Sequence, residues 1–255
     1  MRLNDKVAIV TGGDTGIGKA ISLEFAREGA IVVIDYHGDR APADALVEEI
    51  EDQGSKALAV TADISKPQEV DLLISAATNA YGGLDVLVNN AGIEKKHPFL
   101  EMPFDVYSKI IDVNLTGNWL CSQAAARQMV KQKRGGRIIN ISSVHEELAM
   151  PTNAPYCASK GAIRMLMRTM AVELAQYGIT VNNVAPGAVD TPMDASVERN
   201  SKEFEALLAE IPLRRMAKPH EIADLVVFLA GDEAAYITGA TYIIDGGMTK
   251  QSGSL

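Results

Sequence analysis

Val7-Ala8-Ile9-Val10-Thr11-Gly12-Gly13-Asp14-Thr15-Gly16-Ile17-Gly18-Lys19 opens with an apolar run and closes in a glycine-rich turn. Four consecutive apolar residues suit a short strand buried on both faces, and a helical pattern follows the turn. Glycines let the backbone turn tightly and approach a ligand, and a helix amino terminus favours a phosphate at that point. The spacing is G-x-x-x-G-x-G, which differs from the G-x-G-x-x-G dinucleotide fingerprint. No Gly-Lys-Ser/Thr follows, so a P-loop is excluded. A strand, a glycine turn and a helix in that order predict a nucleotide-binding βα unit.

The same rhythm continues along the chain. Ile31–Ile34, Ala57–Val60, Val86–Val88, Arg137–Ile141, Thr180–Val184 and Thr241–Ile244 are further short, β-branched runs, separated by helix-length segments. Strands buried on both faces and joined by helical crossovers predict an α/β fold: a doubly wound, seven-stranded parallel sheet with helices on both faces. No linker or composition break divides residues 1–255, so a single domain is expected. Residues 188–217, with Pro192 and Pro212, interrupt the rhythm after a strand end. Ligands bind at that edge of an open sheet, which makes the segment a candidate substrate lid.

Apolar residues make up 47% and charged residues 22% of the 255, an ordinary globular composition. The net charge of −9 supplies no basic stripe for phosphates and argues against nucleic-acid binding. Cys121 and Cys157 both fall in helical patterns, which points to free thiols and a reducing compartment. Met1 runs into a strand by Lys6 with no room for a signal peptide, and the longest apolar runs are too short to span a bilayer. A cytoplasmic protein is expected. The four histidines are scattered and show no metal-ligand spacing, and no Gly-x-Ser-x-Gly elbow is present.

The chemistry concentrates in Tyr156-Cys157-Ala158-Ser159-Lys160. Four residues apart on a helix, a tyrosine and a lysine share one face. An ammonium beside a phenol favours the phenolate and lowers a pKa that starts near 10. Such a tyrosine can exchange a proton with an alcohol or a carbonyl near neutral pH. Alone the pair is equally compatible with a solvated helix surface. Upstream, Ser142 and Ser143 follow a strand, where a hydroxyl can hold a reacting oxygen. Asn114 lies within a helical pattern that disfavours it, which fits either a functional asparagine or a buried brace.

In these motifs the chain resembles the short-chain dehydrogenase/reductase family from about Lys6 to Met248. The family's Thr-Gly-x-x-x-Gly-x-Gly turn corresponds to Thr11 to Gly18, and its Asn-Asn-Ala-Gly motif to Asn89-Asn90-Ala91-Gly92. The interval of thirteen residues from Ser143 to Tyr156 is similar to that between the family's catalytic serine and tyrosine. The resemblance implies a Rossmann-type fold and a catalytic set of Asn114, Ser143, Tyr156 and Lys160. Lys160 would also bond the nicotinamide ribose, and Asn114 would help hold a water chain to it. It further implies an NAD or NADP site built from Gly12, Asp14, Thr15, Gly16, Ile17 and Gly18. Asp63 with Ile64 would lie at the adenine, Asn90, Ala91 and Gly92 beside the adenosine, Pro186, Gly187 and Val189 under the nicotinamide, and Thr191 on its carboxamide.

Which cofactor is bound turns on the end of the second strand. An acid there would bond the ribose hydroxyls and repel a 2′-phosphate. Asp35 is near that place, but Tyr36 aligns with the family's acid, and a one-residue offset changes faces. His37 and Arg40 could accept a phosphate, whereas Asp14 opposes one. NAD is favoured slightly, with dual use close behind.

The motifs Ser142-Ser143-Val144-His145-Glu146, Asn90-Ala91-Gly92-Ile93-Glu94 and Asp245-Gly246-Gly247-Met248-Thr249 resemble the glucose 1-dehydrogenase branch. Glu94 and His145 would then join Ser143 and Tyr156 at the substrate; as ordinary loop or interface residues they would not. The alternatives are a 3-oxoacyl-thioester reductase with the same catalytic set and a non-catalytic nucleotide sensor on the same fold. The resemblance also implies a homotetramer acting on a small alcohol or carbonyl compound.

Overall fold

The computed structural model describes residues 1–192 and 201–250. Seven strands were expected from the apolar runs, and each forms: β1 (Val7–Val10), β2 (Ile31–Tyr36), β3 (Ala57–Thr61), β4 (Val86–Asn89), β5 (Gly136–Ile141), β6 (Ile179–Pro186) and β7 (Thr241–Ile244). Among the described residues they make one sheet, in the order β3-β2-β1-β4-β5-β6-β7, with every pairing parallel. From β1 the chain winds outward to β3 and then returns to add β4 on the other side of β1. The order therefore reverses between β1 and β4, where the crossover loops diverge and a crevice opens at the strand carboxyl ends.

The helices are α1 (Gly16–Arg27), α2 (Ala41–Asp52), α3 (Pro67–Tyr81), α4 (Phe104–Ile111), α5 (Asn118–Gln132), α6 (Ala154–Leu174), α7 (Lys202–Glu210) and α8 (Pro219–Ala230). Alternate strand residues supply two cores. Ala8, Val10, Ile34, Ile139 and Val184 pack with Phe25 of α1, Leu46 of α2 and Val226 of α8. Val7, Ile9, Val33, Ile138 and Val181 pack with Leu73 of α3, Met129 of α5 and Met167 of α6. That double burial is why the strands read as continuous apolar runs.

Three strands break the apolar rule at one level. Asn89, Asn140 and Asn183 occupy paired positions on β4, β5 and β6, and all three are buried. The Asn89 amide donates to Asn140 Oδ1 (2.9 Å) and to Ser122 Oγ (2.8 Å). Asn118 of α5 also donates to Asn140 Oδ1 (3.1 Å), and Asn140 donates to Asn183 Oδ1 (2.9 Å). Buried amides are costly to leave unbonded. Asn89 Oδ1 and Asn118 Oδ1 find no protein partner, but the amide nitrogens of Asn89, Asn118 and Asn140 all donate, and these bonds hold the register of β4 to β6 just before the carboxyl edge.

Asn140→Ala strips partners from Asn89, Asn118 and Asn183. It is expected to lower stability by about 2–4 kcal/mol, read as a reduced urea midpoint at unchanged slope.

Candidate active site

The carboxyl edge of the sheet opens into a cleft of 1340 Å³. Its floor at the β1–β4 switch is a knot of hydrogen bonds. Thr11 Oγ1 accepts from the backbone amides of Asn90 (3.0 Å) and Ala91 (3.1 Å), and the Asn90 side chain donates to the carbonyls of Thr11 and Gly12. Gly12 and Gly16 sit at φ +56° and +53°, the left-handed region that side chains disfavour. A Cβ on Gly18 would overlap the Gly12 carbonyl, so this glycine lies under the turn and not on the cleft wall. Helix α1 then begins with no side-chain cap from Thr15, leaving first-turn amides for water or a ligand.

Asp14, Thr15, Gly16, Ile17, His37, Asp63, Ile64, Ala91 and Gly92 line the same cleft, as do Pro186, Gly187, Val189 and Thr191. At the end of β2 it is Asp35 that lines the cleft. Tyr36, the residue aligned with the family's acid, is also buried, but strand alternation puts it with Ile34 on the α1/α2/α8 side. Asp35 Oδ2 accepts from the Gly12 amide at 3.3 Å, while its Oδ1 is buried and makes no hydrogen bond. Burial raises the Asp35 carboxyl to about 7; the Gly12 amide opposes the shift, and Asp14 adds to it. Asp63 behaves otherwise. Burial alone would raise it, but hydrogen bonds from Ser65 and the nearby charge of Lys109, 3.6 Å away, hold it below the usual range.

Arg40, considered as a phosphate partner, is exposed and bonds Asp44 at 3.0 Å. The glycine cradle, the uncapped helix start and the unpaired Asp35 oxygen together fit a dinucleotide, whose sugar hydroxyl can satisfy that oxygen.

At the other end, β5 delivers Ser142 and Ser143 to the cleft. The two hydroxyls have different partners. Ser143 Oγ accepts from the His145 amide (3.1 Å), and Ser142 Oγ donates to Glu146 Oε2 (2.7 Å). Helix α6 presents Tyr156 and Lys160, with Lys160 Nζ 5.5 Å from the phenol ring centroid. That ammonium is buried and donates to the Ile141 carbonyl at 2.9 Å. Burial pushes Lys160 down to about 8, and the Glu146 charge counters part of the fall. The His145 ring stands edge-on to Tyr156 at 6.3 Å, and Glu94 lines the wall nearby in sequence to Gly92.

Asn114 is buried in a π-helical turn (Asp112–Gly117) between α4 and α5 and does not line the cleft. Its Oδ1 accepts from the Ile93 amide (2.8 Å), and its Nδ2 donates to the Ile93 carbonyl (2.9 Å) and to Ser159 Oγ (3.3 Å). It therefore braces the loop after β4. Both its Oδ1 and Lys160 Nζ lie within 4 Å of where a Gly92 Cβ would project, so the brace sits beside the lysine. A π-turn of this kind often marks a functional position, and no sequence pattern announced it. The sequence also offered no role for Glu203 and Leu207 of α7, or for Lys95, Lys96 and Met150, which also line the cleft. They are surface or apolar residues by local pattern, and only the fold brings them together.

Residues 12–249 match a family model described as enoyl-(acyl carrier protein) reductase. The chain is 41% identical over 248 residues to glucose 1-dehydrogenase 2 of Bacillus subtilis (97% of this chain, 96% of the relative). It is 42% identical over 251 residues to L-rhamnose 1-dehydrogenase (NAD(P)(+)) of Azotobacter vinelandii (97% and 98%). The crystal structure of acetoin dehydrogenase from Enterobacter cloacae superposes with a TM-score of 0.90 at 44% identity, covering 98% of each chain. The chain belongs to the short-chain dehydrogenase/reductase family. It is a nicotinamide-dependent oxidoreductase acting on CH–OH groups of small molecules. Among the described residues no helix is long and apolar enough to cross a membrane.

A carboxyl raised from 3.8 to about 7 keeps a proton in the folded state that the unfolded chain loses. Its contribution is fully present below pH 4 and is lost by pH 7. The melting temperature of wild type relative to Asp35→Asn is therefore expected to fall between pH 4.5 and pH 8. A pH-independent difference would contradict the shift.

Proposed function

We propose that this chain interconverts the C1 hydroxyl of an aldose and the corresponding lactone with NAD, glucose being the first candidate. The observation that carries the reaction is the buried Lys160 ammonium, anchored to the Ile141 carbonyl on the Tyr156 face of α6. When bound, the nicotinamide accepts or supplies the hydride. Tyr156 Oη takes the hydroxyl proton in oxidation and returns it in reduction. Lys160 favours the phenolate through its charge, and Ser143 Oγ holds the substrate oxygen in reach. Asn114 keeps the Ile93 backbone and α6 in register around them. The turn from Gly12 to Ile17, packed over Gly18, would hold the pyrophosphate, and Asp63 would lie at the adenine. Thr191 and Val189 would hold the nicotinamide end.

The sugar reading is supported by polar groups at the substrate wall, Glu94 and His145, and by the names of the glucose and rhamnose relatives. A second reading, a small hydroxyketone such as acetoin, is favoured by the apolar Val144, Met150 and Leu207 that line the same cleft. NAD is favoured because the unpaired Asp35 oxygen suits a ribose hydroxyl and Arg40 is engaged by Asp44. The segment 188–217 is proposed as the substrate lid. Its ends are tied together by the Val189–Ala217 bridge, α7 contributes Glu203 and Leu207 to the cleft, and residues 193–200 lie outside the described residues. A homotetramer is proposed on the exposed apolar side chains of Phe104, Trp119, Met165 and Val172.

A turnover screen crossing NAD and NADP with aldoses, acetoin and acetoacetyl thioesters tests the reading. Aldose oxidation is expected to lead. Rapid thioester reduction without sugar turnover would overturn the substrate assignment. Tyr156→Phe is expected to lower kcat/KM by at least ~100-fold, and an active variant would sink the mechanism. Because Asp35 gains its charge as pH rises through about 7, the preference for NAD over NADP is expected to strengthen from pH 6 to pH 8. Asp35→Asn should abolish that trend, and a trend preserved in the variant would assign the selectivity elsewhere.

A further inference from the structure

Glu146 has no part in the reaction as drawn, yet it is one of the most deeply placed charges beside the cleft, its side chain 2% exposed. A carboxylate so placed is costly unless paired and hydrogen-bonded, and three elements supply its partners. Oε2 accepts from Ser142 Oγ at the end of β5 (2.7 Å) and from Asn183 Nδ2 of β6 (3.3 Å). Oε1 faces Arg164 Nε of α6 at 3.5 Å, near enough for charge attraction but too poorly aligned for a hydrogen bond. Arg164 also pairs with Glu147 at 2.5 Å.

Two geometric facts turn this cluster toward the reacting groups. Tyr156, Lys160 and Arg164 succeed one another at intervals of four on α6 and form one stripe. Ser143 lies between the two ends of the Ser142–Glu146 hydrogen bond, and its carbonyl accepts from the Glu146 amide at 3.0 Å. Glu146 thus closes the turn that carries Ser143 twice, through its carboxylate to Ser142 and through its own amide to Ser143. Its carboxylate pairs with the helix that carries Tyr156. Through Asn183 it also ends the amide ladder.

We infer that Glu146 is a positioning residue: it locks the Ser143 turn against the Tyr156–Lys160 stripe and so sets the distance between the hydroxyl and the phenol. The inference rests on the proposed roles of Ser143, Tyr156 and Lys160. A loosened turn leaves the cofactor end untouched but misplaces the substrate oxygen, and small misplacements are costly in rate.

The test is a double-mutant cycle of Glu146→Gln and Arg164→Met in the full-length enzyme. Each is read by steady-state kinetics and by amide hydrogen exchange over residues 142–148. Glu146→Gln is expected to lower kcat roughly tenfold, with the KM for NAD within about twofold of wild type. The double variant should be no worse than the poorer single one. Residues 142–148 should exchange faster, while α1 and β2 should not change. Unaltered kcat, a matching rise in the KM for NAD, or strictly additive losses would each overturn the inference. If wild type turns over no substrate in the screen, the proposed reaction fails; unchanged exchange at 142–148 would then still refute the clamp, and faster exchange confined there would support it. Should Glu146→Gln fail to fold, Arg164→Met, at the more exposed partner (28%), carries the same readouts.

Discussion

The Asn140 amide accepts from Asn89 and Asn118 and donates to Asn183, in a plane where every neighbour is buried. Strand pairing through backbone bonds alone tolerates slippage when side chains are uniformly apolar. Amides that must find amides do not tolerate it, because a one-residue slip would bury several unsatisfied groups. The ladder therefore fixes the register of β4, β5 and β6 near their carboxyl ends. Beyond it, β4 releases Asn90 to close the glycine turn, β5 releases Ser142 and Ser143, and β6 runs to Pro186 on the cleft wall. The cleft opens where β4 and β5 give way to loops while β6 runs on past the ladder to form its wall.

Burial acts on the cleft's charges in opposite directions for one reason: it penalises the ionised form. It raises Asp35 to about 7 and lowers Lys160 to about 8. The carboxyl thus stands at the edge of losing its charge at one end, and the ammonium at the other. The Gly12 amide restrains the first shift and the Glu146 carboxylate the second, so each end owes part of its electrostatics to a group outside the reacting set.

The fold was readable because a two-sided sheet demands apolar runs, and the seven runs coincide with β1 to β7. The glycine turn was readable because left-handed backbone at Gly12 and Gly16 and the space under the turn at Gly18 admit little else. Other features were not. The choice between Asp35 and Tyr36 depends on strand phase, which sequence alignment placed one residue away from where β2 presents its acid. Asn114 was open between brace and catalyst, and its π-turn arises from packing against the β4 loop. Glu146 was visible only as one letter in a motif, since its partners lie 4, 18 and 37 residues away.

Local chemistry is written in the chain: a phenol and an ammonium at helical spacing, a hydroxyl after a strand, glycines where backbone must crowd. Those patterns depend on neighbours within a turn or a strand, so the sequence by itself determined the layer architecture and the kinds of groups available. Distances across elements are set by which strands abut and where they stop. Tertiary structure therefore decided that Lys160 meets the Ile141 carbonyl, that Asp35 and not Tyr36 faces the cleft, and that a buried glutamate ties β5, β6 and α6 together. Each is a contact between residues distant in sequence, or a choice of face, and both are settled only when desolvation forces buried polar groups to find partners.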